Sequence, residues 1–145
     1  MSFREKSAWI TFTLLLLIFG FYFVNFGAVV FAGSGGFHWL FGPGFFVLFG
    51  LLAVAIIVAE IVLHIVVAAH SPADAKSPQD ERERLIALKA KRPAYFVVVS
   101  AAFCSIALIH TGKGAWALAN GILCSIWLGE LTNYGAQIYF YRRGA

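Results

Sequence analysis

Apolar runs of membrane-crossing length fill most of this chain, and one charged segment, residues 71–93, interrupts them. The chain has 11 basic and 7 acidic residues, and ten of these eighteen lie in that segment. About 20 consecutive apolar residues suffice to cross a bilayer. Only 12% of the residues are charged, about half of the ~25% that is usual in a soluble domain. These features predict an all-α polytopic membrane protein.

The pattern predicts four transmembrane helices in two hairpins, joined by a short cytoplasmic amphipathic helix, in a single membrane domain of residues 1–145. The expected spans are residues 8–32, 44–69, 94–110 and 115–141. The cytoplasmic segment 71–93 begins with two helix-start signals, SPADAK and SPQDER. Its helix is expected at residues 78–92, where acids precede bases and so complement the helix dipole. Pro93 predicts a kink or boundary before the third span.

The basic residues predict how the chain is threaded through the membrane. Two lie before the first span, six in the central segment and two at the C-terminus, whereas Lys113 is the one base on the other side. An excess of bases marks the cytoplasmic side, so both termini are expected in the cytoplasm. Because the bases lie at membrane ends, we expect membrane lipid as a partner and no direct binding of nucleic acid.

Two acidic residues, Glu60 and Glu130, fall inside the predicted spans, where an acid must be paired, hydrated or protonated. Each lies sixteen residues beyond the glycine that opens its helix, so we expect both at a similar depth in the inner half of the bilayer. The predicted intramembrane polar site consists of Glu60, His64, Glu130, Asn133, Tyr134 and Gln137. Two interpretations remain open: a pocket for a proton, cation or polar ligand, or interhelical pairs that lock the bundle. We expect no metal or cofactor, since one histidine at Glu-x-x-x-His spacing is a poor ligand set.

A ridge of small residues follows the fourth predicted helix at every fourth position, which allows another helix to approach closely. It consists of Ala117, Gly121, Ser125 and Gly129. Its partner is either a helix of the same chain or the fourth helix of a second copy. Cys104 and Cys124 lie in apolar runs without a Cys-x-x-Cys motif, which favours packing roles.

The chain shows no nucleophile motif, phosphate-binding loop, zinc spacing or dinucleotide fingerprint. We therefore expect no catalytic residues and a non-enzymatic role in partner binding, regulation or sensing. The expected contacts to a cytoplasmic protein partner are the bases Arg82, Arg84, Lys89 and Arg92. The alternative is a small proton- or cation-coupled transporter that acts as a homodimer through Glu60 and Glu130. Small multidrug transporters are similar in outline, but their glutamate lies in the first helix, which has none here within its span.

Two segments, DERERLIALKAKRPAYFVVV (80–99) and GELTNYGAQIYFYRRG (129–144), carry a resemblance to a known family. The chain resembles a group of small prokaryotic membrane proteins of unknown function, in which DER-x-x-LI-x-x-KA-x-R precedes a hairpin ending in Tyr-x-x-Arg-Arg-Gly. The resemblance implies a four-helix protein of the bacterial inner membrane, sometimes encoded near small helix-turn-helix regulators. It supplies no activity. Pro93 departs from the pattern, in which the surface helix flows into the membrane helix.

Overall fold

The computed structural model of the chain describes residues 3–32, 45–70 and 80–143. The regular structure in these ranges is helical, which confirms the all-α class. We call the four helices α1 to α4. Helix α1 consists of α-helical segments Phe3–Leu14 and Gly20–Gly27, each followed by a π-helical segment, Leu15–Phe19 and Ala28–Ala32. Helix α2 spans Phe45–His70. Helix α3 spans Glu81–Ile106 and continues as a 3-10 turn, Ala107–Thr111, and α4 spans Ala115–Arg143.

Three of the described helices are long and apolar enough to cross a membrane. These candidate spans are Phe3–Phe31, Val47–His70 and Glu81–Thr111. Helix α4 is as long but more polar, because Asn120, Glu130, Asn133 and Gln137 lie within it. The described helices therefore support a membrane protein through α1, α2 and α3.

Helix α3 runs without interruption through Pro93, where the sequence predicted a kink or boundary. Proline removes one backbone donor and crowds the carbonyl four residues earlier. The continuation has a physical reason: Ile86, Ala90 and Ala94 are buried at four-residue spacing and form one stripe across Pro93. The charged helix and the third span are therefore one continuous helix, and Pro93 is not a boundary between them.

The start of α3 differs from the sequence expectation as well. Asp80 has extended backbone angles, φ −66° and ψ 149°, and is the N-cap. Its carbonyl accepts the first helical bond, from the Arg84 N–H at 3.0 Å. The helix thus begins at Glu81, and the predicted Ser77-Pro78 start lies outside the described residues.

Helix α4 packs between α1 and α3 and runs antiparallel to both. Toward α3, a Cβ placed on Gly121 would lie 2.9 Å from the Cβ of Ser105, so the two backbones are in close approach. Toward α1, the indole N–H of Trp127 donates to the Leu15 carbonyl at 2.9 Å. Leu15 opens the first π-helical segment of α1, where the register of backbone hydrogen bonds changes. At this change of register, the Leu15 carbonyl therefore accepts a hydrogen bond from the Trp127 indole.

The buried core is mainly aromatic and belongs to α1. It contains Phe19, Tyr22, Phe23, Phe26 and Val30 from α1, with Ile56 from α2. The rings of Phe19 and Phe49 stack with centroids 5.3 Å apart and join α1 to α2. The rest of α2 is largely exposed, with Val47, Leu51, Val54 and Ile57 more than half accessible. An apolar helix exposed on several faces suits a lipid environment.

Candidate functional site

His64 of α2 is tied to α1 through Ser7. The Nδ1 of His64 donates to the backbone carbonyl of Glu60 over 2.7 Å, since a carbonyl can only accept. The Nε2 of the ring forms a second hydrogen bond, with the Ser7 hydroxyl, which can donate or accept. Both ring nitrogens are thus occupied by bonds other than one to the Glu60 carboxylate. The four-residue spacing places the two side chains on one face, and the structure uses His64 to join α2 to α1.

Tyr134 lies near both predicted acidic residues, Glu60 and Glu130. Its hydroxyl lies in the electrostatic field of both Glu130, on its own helix, and Glu60, on α2. Glu60 is partly buried and Glu130 is exposed. The structure therefore brings Glu60, Glu130 and Tyr134 to one end of the bundle.

The packing of Gly129 against α3 fixes the depth of Glu130. A Cβ on Gly129 would meet the Val98 side chain and lie 3.5 Å from the Ala94 carbonyl oxygen. Glu130, the next residue, is therefore at the level of residues 94–98 along the axis of α3, roughly 3–9 Å from the level of Arg92, at 1.5 Å per residue. It lies near the charged end of the apolar zone, and an acid there is less costly than the ~2.5–3.5 kcal/mol assigned to the bilayer centre.

The other predicted polar residues of α4 pair with each other. The amide of Gln137 donates to the Asn133 side-chain oxygen over 3.3 Å within the helix. Both residues are partly buried, on the same C-terminal half of α4 as Tyr134. This part of the site is a polar stripe that carries its own hydrogen bond.

The small-residue ridge of α4 is buried, and the structure places α3 of the same chain against it at two of its four positions. Ala117, Gly121, Ser125 and Gly129 are all buried. Gly121 faces Ser105 and Leu108, while Gly129 faces Val98. A contact with a second copy is not needed to fill these positions.

The predicted partner-binding bases lie on the charged half of α3. Arg82, Arg84, Lys89 and Arg92 are all exposed. Leu85 and Leu88 are exposed on the same helix at 54% and 55%. We call these six residues the α3 surface. The opposite face holds the helix in place, because Ile86 and Ala90 are buried.

A cavity of about 120 Å³ lies between α1, α2 and α4. Its walls are aromatic and aliphatic, and among the residues that the structure describes Glu130 is the one ionisable residue in its lining. Phe19 and Phe23 are buried at its floor, whereas Ile126 and Glu130 are exposed at its rim. Glu60 is not part of the lining, so the cavity has access to only one of the two acids.

Neither a metal cluster nor a thiol pair emerges from the described ranges. Within residues 3–32, 45–70 and 80–143 no group of three or more His, Cys, Asp or Glu is placed to hold a metal ion. Cys104 and Cys124 are free thiols. Both line a second cleft, of about 340 Å³, between α1, α3 and α4.

Comparison with protein-family models gives a match over residues 17–145 to a family described as "Predicted membrane protein (DUF2178)". The chain belongs to this family. The match confirms the resemblance to membrane proteins of unknown function and extends it from the second half of the chain back into α1. Comparisons with curated proteins and with solved structures give no match.

The sequence analysis did not predict the hydrogen bonds that isolated polar residues make between helices. The Tyr22 hydroxyl donates to the Asn120 side-chain oxygen over 2.8 Å, joining α1 to α4. Tyr22 is 1% exposed and Asn120 is 0% exposed, so the bond is fully buried. A single Asn in an apolar helix was a usable signal, since such residues hydrogen-bond across helices.

Contacts at the charged end were also missed. Arg4 and Glu83 form an ion pair of 2.9 Å between α1 and α3. The Arg142 guanidinium lies 5.3 Å from the centroid of the Trp9 ring and joins α4 to α1. The N-terminal end of α1, the start of α3 and the end of α4 therefore meet at one end of the bundle.

Proposed function

We propose that this protein is a non-enzymatic, regulatory or sensory membrane protein whose α3 surface docks an acidic cytoplasmic protein. The observation that carries the proposal is the continuity of α3 through Pro93. Because the charged half of α3 continues the membrane-spanning half of the same helix, we expect it to project from the bilayer and not to lie flat on its surface. Its exposed leucines then face water or protein, and apolar residues surrounded by arginine are typical of protein interfaces.

The proposed topology has both termini in the cytoplasm of a bacterial cell, with four spans in two hairpins across the inner membrane. The distribution of bases supports it, as does the meeting of Arg4, Glu83 and Arg142 with their partners at one end of the bundle. A fluorescent reporter fused after residue 145 is expected to be active, and a phosphatase that needs the periplasm inactive. The reverse pair of results would refute this topology.

The docking proposal is tested by cross-linking in intact cells followed by quantitative mass spectrometry of the purified protein. The test variant carries Arg82→Glu and Arg84→Glu. The control carries Arg142→Glu and Arg143→Glu, with the same change of net charge at the same end of the bundle. We expect the α3 variant to lose at least one partner that the control keeps. Identical partner sets for wild type and both variants would refute the proposal.

The second candidate function is proton- or cation-coupled transport by a homodimer. The position of Tyr134 in the field of both Glu60 and Glu130 supports it. In proteoliposomes with a pH gradient, Glu60→Gln and Glu130→Gln are each expected to abolish pH-dependent flux. Unchanged flux in both variants, or none in the wild type, would remove this candidate.

A further inference from the structure

We propose that the cavity between α1, α2 and α4 binds a small organic cation, with its apolar body inside the cavity and its ammonium group beside Glu130. This binding site is separate from the α3 surface and does not depend on the docking of a partner. It also requires no transport. The ligand class follows from the size of the cavity, its aromatic wall and the charge at its rim.

The size of the cavity suits one small ring or a short aliphatic group. Its volume is about 120 Å³, close to the ~150 Å³ of an engineered apolar cavity that binds benzene. The floor, made by Phe19 and Phe23, carries no charge. An apolar group placed against these two buried rings leaves water for an apolar surface, which is favourable.

The wall of the cavity is rigid and aromatic. The Phe23 and Trp127 rings have centroids 5.1 Å apart, and the Phe19 and Phe49 rings 5.3 Å apart. The Trp127 indole is held by its bond to the Leu15 carbonyl. Aromatic rings pack favourably against an aromatic group in offset-stacked or edge-to-face arrangements, so this wall suits the apolar body of the ligand.

The rim of the cavity supplies the charge. Among the described residues Glu130 is its one ionisable lining residue, and it is exposed beside Ile126. A carboxylate at the open edge of an apolar cavity favours a ligand with a cationic head and an apolar body, and disfavours the matching anion. The wall also includes Leu15 and Phe19, the two ends of a π-helical segment, and such segments occur frequently at functional sites.

The test uses the full-length protein in dodecylmaltoside micelles and isothermal titration calorimetry with three probes of one shape. These are benzyltrimethylammonium, neutral benzyl alcohol and anionic benzoate. We expect the order of affinity cation, alcohol, anion. Equal affinity for the cation and the alcohol would overturn the proposal without the use of any variant.

Glu130→Gln is expected to weaken binding of the cation by about 1.5- to 5-fold, the effect of an exposed ion pair, and to leave benzyl alcohol unchanged. Glu60→Gln is the matched control, because Glu60 is the other acid near Tyr134 but does not line the cavity. Equal losses in the two variants would contradict the assignment to this cavity. Phe49→Leu is expected to weaken both ligands, since it removes part of the wall.

The ammonium group could belong to a free amine or to a phospholipid head. Titration of benzyltrimethylammonium after addition of phosphatidylethanolamine distinguishes the two. Competition by this lipid, with none by phosphatidylglycerol, identifies the lipid head as occupant of the same site. Undiminished binding supports a free amine.

Discussion

The close approach of α3 and α4 at Gly121 makes a quantitative prediction. The Cβ of Gly121→Ala would lie 2.5 Å from Cδ1 of Leu108 and 2.9 Å from Cβ of Ser105, where carbon atoms prefer about 3.5–4.0 Å. Leu108 can rotate away. Cβ of Ser105 can move only with its backbone, and its hydroxyl is bonded to the Ala101 carbonyl at 2.8 Å. The helices must separate, and overpacking of this kind costs about 1–3 kcal/mol.

Gly50→Ala on α2 is the matched control, because a Cβ there meets nothing within 4 Å. Alanine in place of glycine inside a helix contributes roughly 0.5–1 kcal/mol, and both variants share this gain. The difference in unfolding free energy between them should therefore be about 1–3 kcal/mol, with Gly121→Ala the less stable. Reversible unfolding in dodecylmaltoside–SDS mixed micelles measures it. Equal stability of the two variants would show that α3 and α4 do not approach as described.

Three further predictions concern contacts between helices. In a double-mutant cycle, Arg4→Ala and Glu83→Ala should show a coupling of about 0.2–1 kcal/mol that decreases with added salt; a coupling of zero at low salt would contradict the ion pair. Asn120→Ala should destabilise by about 0.6 kcal/mol, the average for interhelical bonds in membranes, and by no more than about 1.7 kcal/mol; the effect should be smaller when Tyr22 is already Phe, since the bond between helices is then absent. Trp127→Phe should lower the unfolding free energy by about 1 kcal/mol, because the hydrogen bond to the Leu15 carbonyl is lost. Unchanged stability would show that this bond does not stabilise the fold.

The sequence predicted the helices well because their signal is simple. Runs of apolar residues specify α1, α2 and the second half of α3, whatever their partners. The ridge on α4 was predicted for a similar reason. Small residues such as Gly121 and Gly129 recur every four positions, and this pattern indicates close packing against another helix. Its partner was left open, since the ridge says nothing about which helix faces it.

The boundary at Pro93 shows the limit of local reasoning. A proline weakens a helix locally, and the sequence alone favoured a break. The stripe of Ile86, Ala90 and Ala94 continues across it, and burial against another helix outweighs one missing hydrogen bond. Ala94 lies against Gly129 of α4, 35 residues later in the chain, and local reasoning does not see a contact at that separation.

The candidate site was only partly visible for another reason. Glu60 and Glu130 were found because acidic residues are rare in apolar helices, and Tyr134 because it belongs to a polar stripe on α4; the structure places Tyr134 near both acids. The cavity beside Glu130 was missed because its walls are ordinary Phe and Trp residues, whose meeting depends on three helices. The π-helical segments of α1 leave no distinctive residue pattern either, so the register change beside Trp127 has no sequence signature.

Pro93 also makes α3 a hinge. Having no N–H, it leaves the Lys89 carbonyl without its helical donor, so a bend here sacrifices one hydrogen bond fewer than a bend elsewhere. The charged half, residues 81–92, extends roughly 18 Å beyond it, and a bend of about 10° would displace its tip by roughly 3 Å. What opposes the bend is the seating of Ile86 and Ala90 in the bundle. A bend at Pro93 would therefore move the α3 surface only if Ile86 and Ala90 left their buried positions.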